Sequence, residues 1–210
     1  MTPPAAAGHR LAVPPGRAGR LWLERRLAIA RRGADLLDRK RRILQHELAV
    51  TRDSAARTER EWTGSCAEAE EWLLRSALLE GQRSSRLAAP RELAEVQISY
   101  TVTMGVRHPA NGAYSPPRTP APWTAPAAAE ARRACEAALG AAVRHAVAAS
   151  ALRTLDAETT ATRQRLHAIR DRWIPRLEEA KAELELTFDE LERADAARLR
   201  MASRQQVRRA

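Results

Sequence analysis

The chain has 210 residues, a length that suits one domain or one domain with tails. Aromatic residues make up only 4% of it and charged residues 30%, which argues against a thick globular core and favours long helices. The formal net charge of +10 indicates contact with something acidic, which could be nucleic acid, an anionic membrane surface or a negatively charged protein cavity.

Three further properties narrow the class of protein. The sequence lacks the run of about eighteen apolar residues that a membrane-spanning helix needs, so we expect no insertion into a membrane. The first ten residues lack the hydrophobic stretch of a signal peptide, which predicts a cytoplasmic protein. Cys66 and Cys135 are too few for a disulfide framework and lack metal-ligand spacing, and we expect no metal and no cofactor.

The first predicted elements are a disordered tail at residues 1–16, rich in proline and glycine, and a long helix at residues 17–88. Along this helix, apolar or small residues recur at alternating steps of three and four, which is typical of a coiled-coil seam. The predicted seam positions are Leu23, Leu27, Ala30, Ala34, Leu37, Leu44 and Leu48, continuing through Thr51, Ala55, Thr58 and Trp62.

A middle segment at residues 90–126 is predicted to be non-helical. Its first part alternates apolar and polar residues with a period of two, which predicts one bent strand or a small hairpin. The apolar positions are Val96, Ile98, Tyr100, Val102, Met104 and Val106. From Pro109 to Pro126, six prolines exclude a helix or a central strand, so we expect a connector, which contains Trp123.

A second long helix is predicted at residues 127–203, followed by a basic tail at residues 204–210. Its seam positions are Leu152, Leu155, Leu166, Ile169, Trp173 and Leu177, with a continuation through Ala180, Leu184, Thr187, Leu191 and Ala194. Two successive steps of four residues interrupt the seam between Ile169 and Leu177, and Pro175 lies inside the second step. Because proline cannot donate to the preceding turn, we expect a kink between Trp173 and Leu177.

Together these elements predict a predominantly all-α fold. The two long helices pair as an antiparallel two-helix coiled coil, a helical hairpin with a small β-hairpin or extended insertion in its middle. With the helix tips paired, Cys66 and Cys135 fall at well separated levels, which predicts no disulfide. The histidines are scattered and no catalytic constellation is visible, so we expect no enzymatic activity of the chain itself.

Three stretches resemble the D subunit of V-type and archaeal-type rotary ATPases. IARRGADLLDRKRRILQHEL at residues 29–48 is similar to the N-terminal signature of that family, and EVQISYTVTMGVRHP at residues 95–109 is similar to its β-hairpin. RLHAIRDRWIPRLEEAKAELELTFDELERADAARLR at residues 165–200 resembles its C-terminal block. The three matches occur in the family's order and cover most of the chain.

The resemblance implies a central rotor stalk, or shaft, that couples ATP hydrolysis or synthesis to proton or sodium translocation. Its implied partners are the catalytic A and B subunits, the small F subunit and the funnel-shaped subunit on the membrane ring, in a hetero-oligomer on the cytoplasmic side of the membrane. Val96 to Val106 would contact the F subunit or the foot of the stalk. The residues implied to face the catalytic hexamer are Arg25, Arg26, Arg31, Arg32, Arg39, Arg41, Arg42, Ile174, Pro175, Arg176, Leu184, Leu191, Arg198 and Arg200.

Two alternatives stay open. One is the coiled-coil stalk or adaptor of an export ATPase, against which the β insertion argues. The other is a basic coiled coil that binds nucleic acid, but the arginines share the seam's residues rather than preceding it, and no aromatic residues interleave with them for base stacking. We therefore favour the ATPase stalk and expect no nucleic-acid partner.

Overall fold

The computed structural model describes residues 11–88, 92–117 and 125–209. In chain order, its elements are helix α1 (Arg17–Ala88), strands β1 (Glu95–Thr103) and β2 (Val106–Ser115), helix α2 (Pro126–His167), a π-helical segment (Ala168–Trp173) and helix α3 (Ile174–Arg209). The long helices and the two-stranded antiparallel sheet confirm the predicted fold class. Two compact units are distinguished: a terminal unit, Met1–Arg39 with Arg163–Ala210, and a middle unit, Lys40–Thr162.

One apolar cluster, the first cluster, holds the terminal unit together. Its buried members are Leu23, Leu27, Ala30 and Leu177, and Ile169, Trp173, Ile174, Ala180 and Leu184 pack around them. Burying a leucine fully contributes roughly 1.5–3 kcal/mol, so these side chains dominate the unit's stability. Two ion pairs between α1 and α3 show the relative direction of these helices: Arg31 lies 2.8 Å from Glu178, and Glu24 lies 3.8 Å from Lys181. As the numbering falls along α1 it rises along α3, so the helices are antiparallel.

A non-helical segment precedes α1 and packs against its first turns. Leu11 and Val13 contact the first cluster, although residues 1–16 were predicted to be disordered; the first ten lie outside the described residues. Gly19 permits this contact, because a Cβ atom at that position would lie 2.0 Å from the carbonyl oxygen of Pro14. The disorder prediction is therefore wrong from Leu11 onward, because the apolar side chains of Leu11 and Val13 pack against the first cluster.

The C-terminal part of the predicted seam is not covered. Thr187, Leu191 and Ala194 are exposed, whereas Leu184 still packs against the first cluster. The register set by Glu24 and Lys181 accounts for this: α1 begins only seven residues before Glu24, whereas α3 continues for 28 residues beyond Lys181. The expectation that the helix tips are paired is therefore wrong.

The middle unit contains two clusters between α1 and α2. The second cluster consists of Leu44, Leu48 and Leu155, with Leu152 and Val106 against it. The third consists of Ala69, Ala134 and Ala138, with Cys66, Trp72 and Cys135 against it. Between them Trp62, predicted as a seam residue, is 38% exposed and stacks on His145 with ring centroids 5.3 Å apart. Lys40 and Glu158 form a partly buried ion pair of 2.9 Å.

A carboxylate from α1 caps the start of α2. Glu80 accepts hydrogen bonds from the backbone N–H groups of Ala127 and Ala128, at 2.9 and 3.0 Å. Those N–H groups lie in the first turn of α2, where no intrahelical acceptor exists and negative charge is favoured. The next residue, Gly81, leaves helical geometry with φ 78°, so α1 is two helical stretches joined at a kink.

The insertion is a β-hairpin closed by Met104 and Gly105. Both residues have positive φ, 50° and 80°, which is the backbone of a type I′ turn. Strand β2 runs through Pro109 to Ser115, so the prediction of a connector starting at Pro109 is wrong for these residues. A two-stranded sheet has only edge strands, where a missing N–H is tolerated, and the pairing shifts by one residue beside Pro109. Trp123 lies outside the described residues.

The hairpin rests on the helices through β2. Val106 packs against the second cluster, and Gly112 lies so close to α2 that a Cβ atom there would come within 2.9 Å of both Val143 and Val147. His108 is buried and contacts Thr103 at 3.1 Å through Nε2. Strand β1, which is exposed along nearly its whole length, is therefore the strand of the hairpin with fewer contacts to the helices.

Candidate partner-binding surfaces

The outward face of α1 in the terminal unit carries a second stripe at coiled-coil spacing, the outer stripe. It consists of Arg25, Ile29, Arg32, Leu36 and Arg39, which follow one another at steps of four and three on the side opposite the seam. Ile29 is 68% and Leu36 64% exposed. Among the described residues, no carboxylate pairs with its three arginines. The stripe combines arginines that form no ion pair among the described residues with exposed apolar surface, the chemistry of a site for an acidic, partly apolar partner.

The other basic residues predicted to face a hexamer are engaged within the chain. The guanidinium of Arg26 lies 4.8 Å from the ring centre of Trp22, Arg31 pairs with Glu178, and Arg41 donates to Gln45 at 3.0 Å. Arg42 and Arg176 also have partners. Ile29 and Leu36 are functional candidates that the seam pattern alone does not reveal; a search of the sequence for a second stripe at the same spacing would have found them.

A π-helical segment, Ala168–Trp173, lies where the seam spacing is irregular, just before Pro175. The backbone N–H of Ile174 donates to the carbonyl oxygen of Ile169, five residues back instead of four. Pro175 is half-buried, and Ile174 and Leu184, which were predicted to face a hexamer, pack against the first cluster of their own unit. The carboxylate of Asp171 contacts Nδ1 of His167, one helical turn away.

The last turns of α3 form an exposed single helix. Leu191 is exposed, and Leu199 and Met201 add apolar surface further along. Arg198 donates to Asp195 at 3.0 Å, and Arg200 donates to the carbonyl oxygen of Ala196 at 3.1 Å. The backbone is helical to Arg209, through most of the predicted basic tail, while Ala210 lies outside the described residues.

Strand β1 presents an open apolar face. Val96, Ile98, Tyr100, Val102 and Met104 are all exposed, and Val106 is half-buried against the second cluster. A groove of about 290 Å³ separates part of this face from α2, where Val143, Ala146 and Val147 line it. Arg107 lies over the Tyr100 ring, 4.2 Å from its centre, and adds a positive edge. A hairpin that left this face in water would gain little from folding, so the face suits an apolar partner surface.

A further apolar set lies on α1 near its C-terminal end. Leu73, Leu74, Leu78 and Leu79 are exposed, the last two at 77% each. Leucines on adjacent positions do not follow a single seam, and that departure is the signal by which they could have been found in the sequence. Four exposed leucines within seven positions form a surface typical of a protein interface.

In the part of the chain that the structure describes, no group of His, Cys, Asp or Glu is arranged to hold a metal ion. The pKa is raised for Tyr114 and for Cys135, in each case mainly because burial disfavours the charged form. No helix among residues 11–88, 92–117 and 125–209 is long and apolar enough to cross a membrane.

These features define a class: a pair of long helices with a β-hairpin insertion and exposed basic and apolar faces. A protein-family model that describes the ATP synthase D subunit matches residues 21–204. The chain therefore belongs to the ATP synthase D-subunit family, and it is a stalk component of an ATP synthase or ATPase complex. A comparison with curated protein sequences found no match.

Proposed function

We propose that the chain is the central rotor stalk of a V/A-type ATPase. In this role it passes torque between a catalytic hexamer of A and B subunits and an ion-translocating ring that carries protons or sodium ions. The observation that carries the proposal is the family match across residues 21–204, which includes both helical arms and the hairpin. Family members of this kind are non-catalytic, and the function of the chain in this proposal is mechanical.

The exposed surfaces support the proposal because each fits one kind of partner. The outer stripe and the free end of α3 belong to the terminal unit and offer charge and scattered apolar residues to the hexamer's interior. The apolar face of β1 suits the small F subunit, and the leucine set at 73–79 suits the funnel-shaped subunit. Exposed ion pairs contribute only about 0–1 kcal/mol each. Dispersed charge on the stalk therefore suits a contact with the hexamer that breaks and forms again at each step of rotation.

An affinity pull-down from native extract with the tagged chain tests the function. We expect to recover the two large subunits, a small F-type subunit and the funnel-shaped subunit in one ATPase complex. Recovery of an export-ATPase complex, or of nucleic acid with a salt-dependent shift on random duplex DNA, would contradict the proposal in favour of those alternatives.

Charge reversal in the outer stripe tests which surface meets the hexamer. Arg25→Glu with Arg32→Glu should reduce recovery of the large subunits, since both arginines lack a partner among the described residues and repulsion from acidic loops adds to the lost attraction. Arg57→Glu with Arg60→Glu makes the same charge change on exposed residues of α1 outside the stripe. Equal recovery with both double variants would contradict the assignment of the stripe.

A further inference from the structure

Strand β1 has one hydrogen-bonded neighbour and one open edge. In the part of the chain that the structure describes, the sheet contains only β1 and β2, so no strand lies on the other side of β1. Every residue from Glu95 to Val102 is exposed. An exposed edge strand is a template for a further strand, and natural proteins usually interrupt such an edge with lysine, proline or a bulge. Strand β1 contains no lysine or proline, and the extra residue at the register shift, Ala110, belongs to β2.

The turn of the hairpin shows which backbone groups of β1 face the open edge. Thr103 and Val106 flank the two-residue turn, so they form a hydrogen-bonded pair. Backbone direction alternates along a strand, so every second residue, counted back from Thr103, directs its N–H and C=O to β2. Pro109, which has no N–H, lies opposite Tyr100 and agrees with this alternation. The residues in between direct their N–H and C=O to the open edge, and these edge-facing residues are Val96, Ile98, Tyr100 and Val102.

The residue order of β1 is complementary to itself. When two copies of EVQISYTVT run antiparallel with Ser99 opposite Ser99, Val96 meets Val102 and Ile98 meets Tyr100, while polar residues meet polar residues. Opposite residues point to the same face of a sheet, so the apolar side chains of the two copies form one continuous face. The edge-facing residues of one copy lie opposite those of the other, which gives four hydrogen-bonded pairs and about eight backbone hydrogen bonds.

Charge and size also favour a second copy at this edge. The segment from Val96 to Thr103 contains no charged residue, so two chains of net charge +10 can pair there without like charges opposite each other. Glu95 lies at the end of the pairing, opposite Thr103 of the second copy. A single nine-residue edge is small against the roughly 800 Å² per partner of a stable interface. The pairing is therefore expected to be weak and reversible.

We propose that the free chain forms a two-fold symmetric dimer in which β1 of one copy pairs antiparallel with β1 of a second copy. Ser99 lies on the two-fold axis, and the product is a four-stranded sheet of order β2–β1–β1–β2. The same edge is used on both copies, so the contact closes with two chains and does not continue into a fibre through β1. The dimer concerns the free chain and does not rest on the stalk function, so a failed pull-down would leave it intact.

A cysteine on the two-fold axis tests the register. In a Cys66→Ala/Cys135→Ala background, Ser99→Cys places two thiols at a non-hydrogen-bonded pair, where the Cα atoms lie about 4.5 Å apart and a disulfide can form. Oxidation with copper phenanthroline should convert this variant to a covalent dimer, seen by non-reducing electrophoresis. Thr101→Cys in the same background is the control, because it is also exposed on β1 but its two copies lie about 14 Å apart along the paired strands. No crosslink through Ser99→Cys, or equally fast crosslinking of both variants, would overturn the proposal.

Sedimentation velocity of the full-length chain measures the equilibrium without a crosslink. We expect the dimer fraction to rise with concentration in the micromolar range. Val102→Pro removes an N–H that faces the open edge and leaves the bonds between β1 and β2 intact, so it should weaken dimerisation about tenfold. Val102→Ala shortens the same side chain but keeps the N–H, and it should weaken dimerisation less. A monomer at every concentration, or equal effects of Val102→Pro and Val102→Ala, would contradict pairing through the edge of β1.

Discussion

At the scale of single residues, Glu80 has the most clearly defined structural role. Its carboxylate accepts hydrogen bonds from the backbone N–H groups of Ala127 and Ala128, and so joins the end of one helix to the beginning of another. Capping by a residue 47 positions earlier in the chain replaces the local side-chain cap that α2 lacks, since Ala125 precedes its first residue, Pro126. The contact links the two helices and also satisfies the N-terminus of α2.

We predict that Glu80→Ala destabilises the protein by about 1–2 kcal/mol, because two N–H groups lose a charged acceptor at a helix N-terminus. Urea denaturation followed by far-UV circular dichroism measures the change. Glu80→Gln should recover part of the loss, since its amide oxygen still accepts one bond. Glu70→Ala removes an exposed carboxylate from the same helix and should be neutral within about 0.5 kcal/mol; equal effects of Glu70→Ala and Glu80→Ala would contradict the capping role.

At the scale of elements, sequence patterns predicted what depends on spacing. The steps of three and four identified Leu23, Leu27, Leu44 and Leu155, all of which are buried in the structure. Residues at this spacing lie on one face of a helix, and an amphipathic helix turns that apolar face towards the core. Period-two alternation located the β insertion in the same way. The outer stripe obeys the seam's own spacing, so part of the candidate site was also open to prediction from the sequence.

Features that depend on how elements meet were not predicted. Met104 in a turn of positive φ has no sequence signal of the Asn-Gly kind, and a strand through Pro109 contradicts propensity. The helix register follows from where Glu80 contacts α2 and from how far α3 extends past the start of α1, and neither is encoded in a local pattern.

The π-helical segment gives a prediction at the element scale. Pro175 supplies no N–H and its ring crowds the preceding turn, so Pro175→Ala should stabilise the terminal unit. We expect a gain of about 1 kcal/mol, less than the roughly 3 kcal/mol cost of proline inside a regular helix, because the i−5 bond of Ile174 has already relieved part of the conflict. Urea denaturation measures it, with Glu179→Ala as the control at an exposed position of α3. Destabilisation by Pro175→Ala would show that the proline is needed to form the segment.

In the proposed rotor, the same variant separates structure from mechanism. A reconstituted complex with Pro175→Ala should hydrolyse ATP with altered coupling to ion transport if the π-helical segment shapes the torque-bearing part of the stalk. ATPase rate and ion pumping are measured on the same preparation. An unchanged ATPase rate and unchanged ion pumping would show that the π-helical segment accommodates the irregular seam spacing locally and has no role in coupling.

At the scale of the whole molecule, the buried residues fall into separate sets. The first cluster lies in the terminal unit, and the second and third lie in the middle unit; no residue is shared. Small residues such as Ala34, Thr51, Ala55 and Thr159 occupy many of the remaining buried positions and contribute less apolar area than leucine. The few fully buried leucines therefore carry most of the stability of their own unit.

A matched pair of variants tests this division. Leu177→Ala and Leu155→Ala make the same change at two fully buried positions, one in each unit, and each should cost about 2–4 kcal/mol. Because the surrounding clusters share no side chains, amide hydrogen exchange should accelerate chiefly around residues 20–30 and 169–184 in the first variant. In the second it should accelerate chiefly around residues 44–48 and 152–159. Equal acceleration throughout the chain in both variants would show that the long helices unfold as one cooperative body.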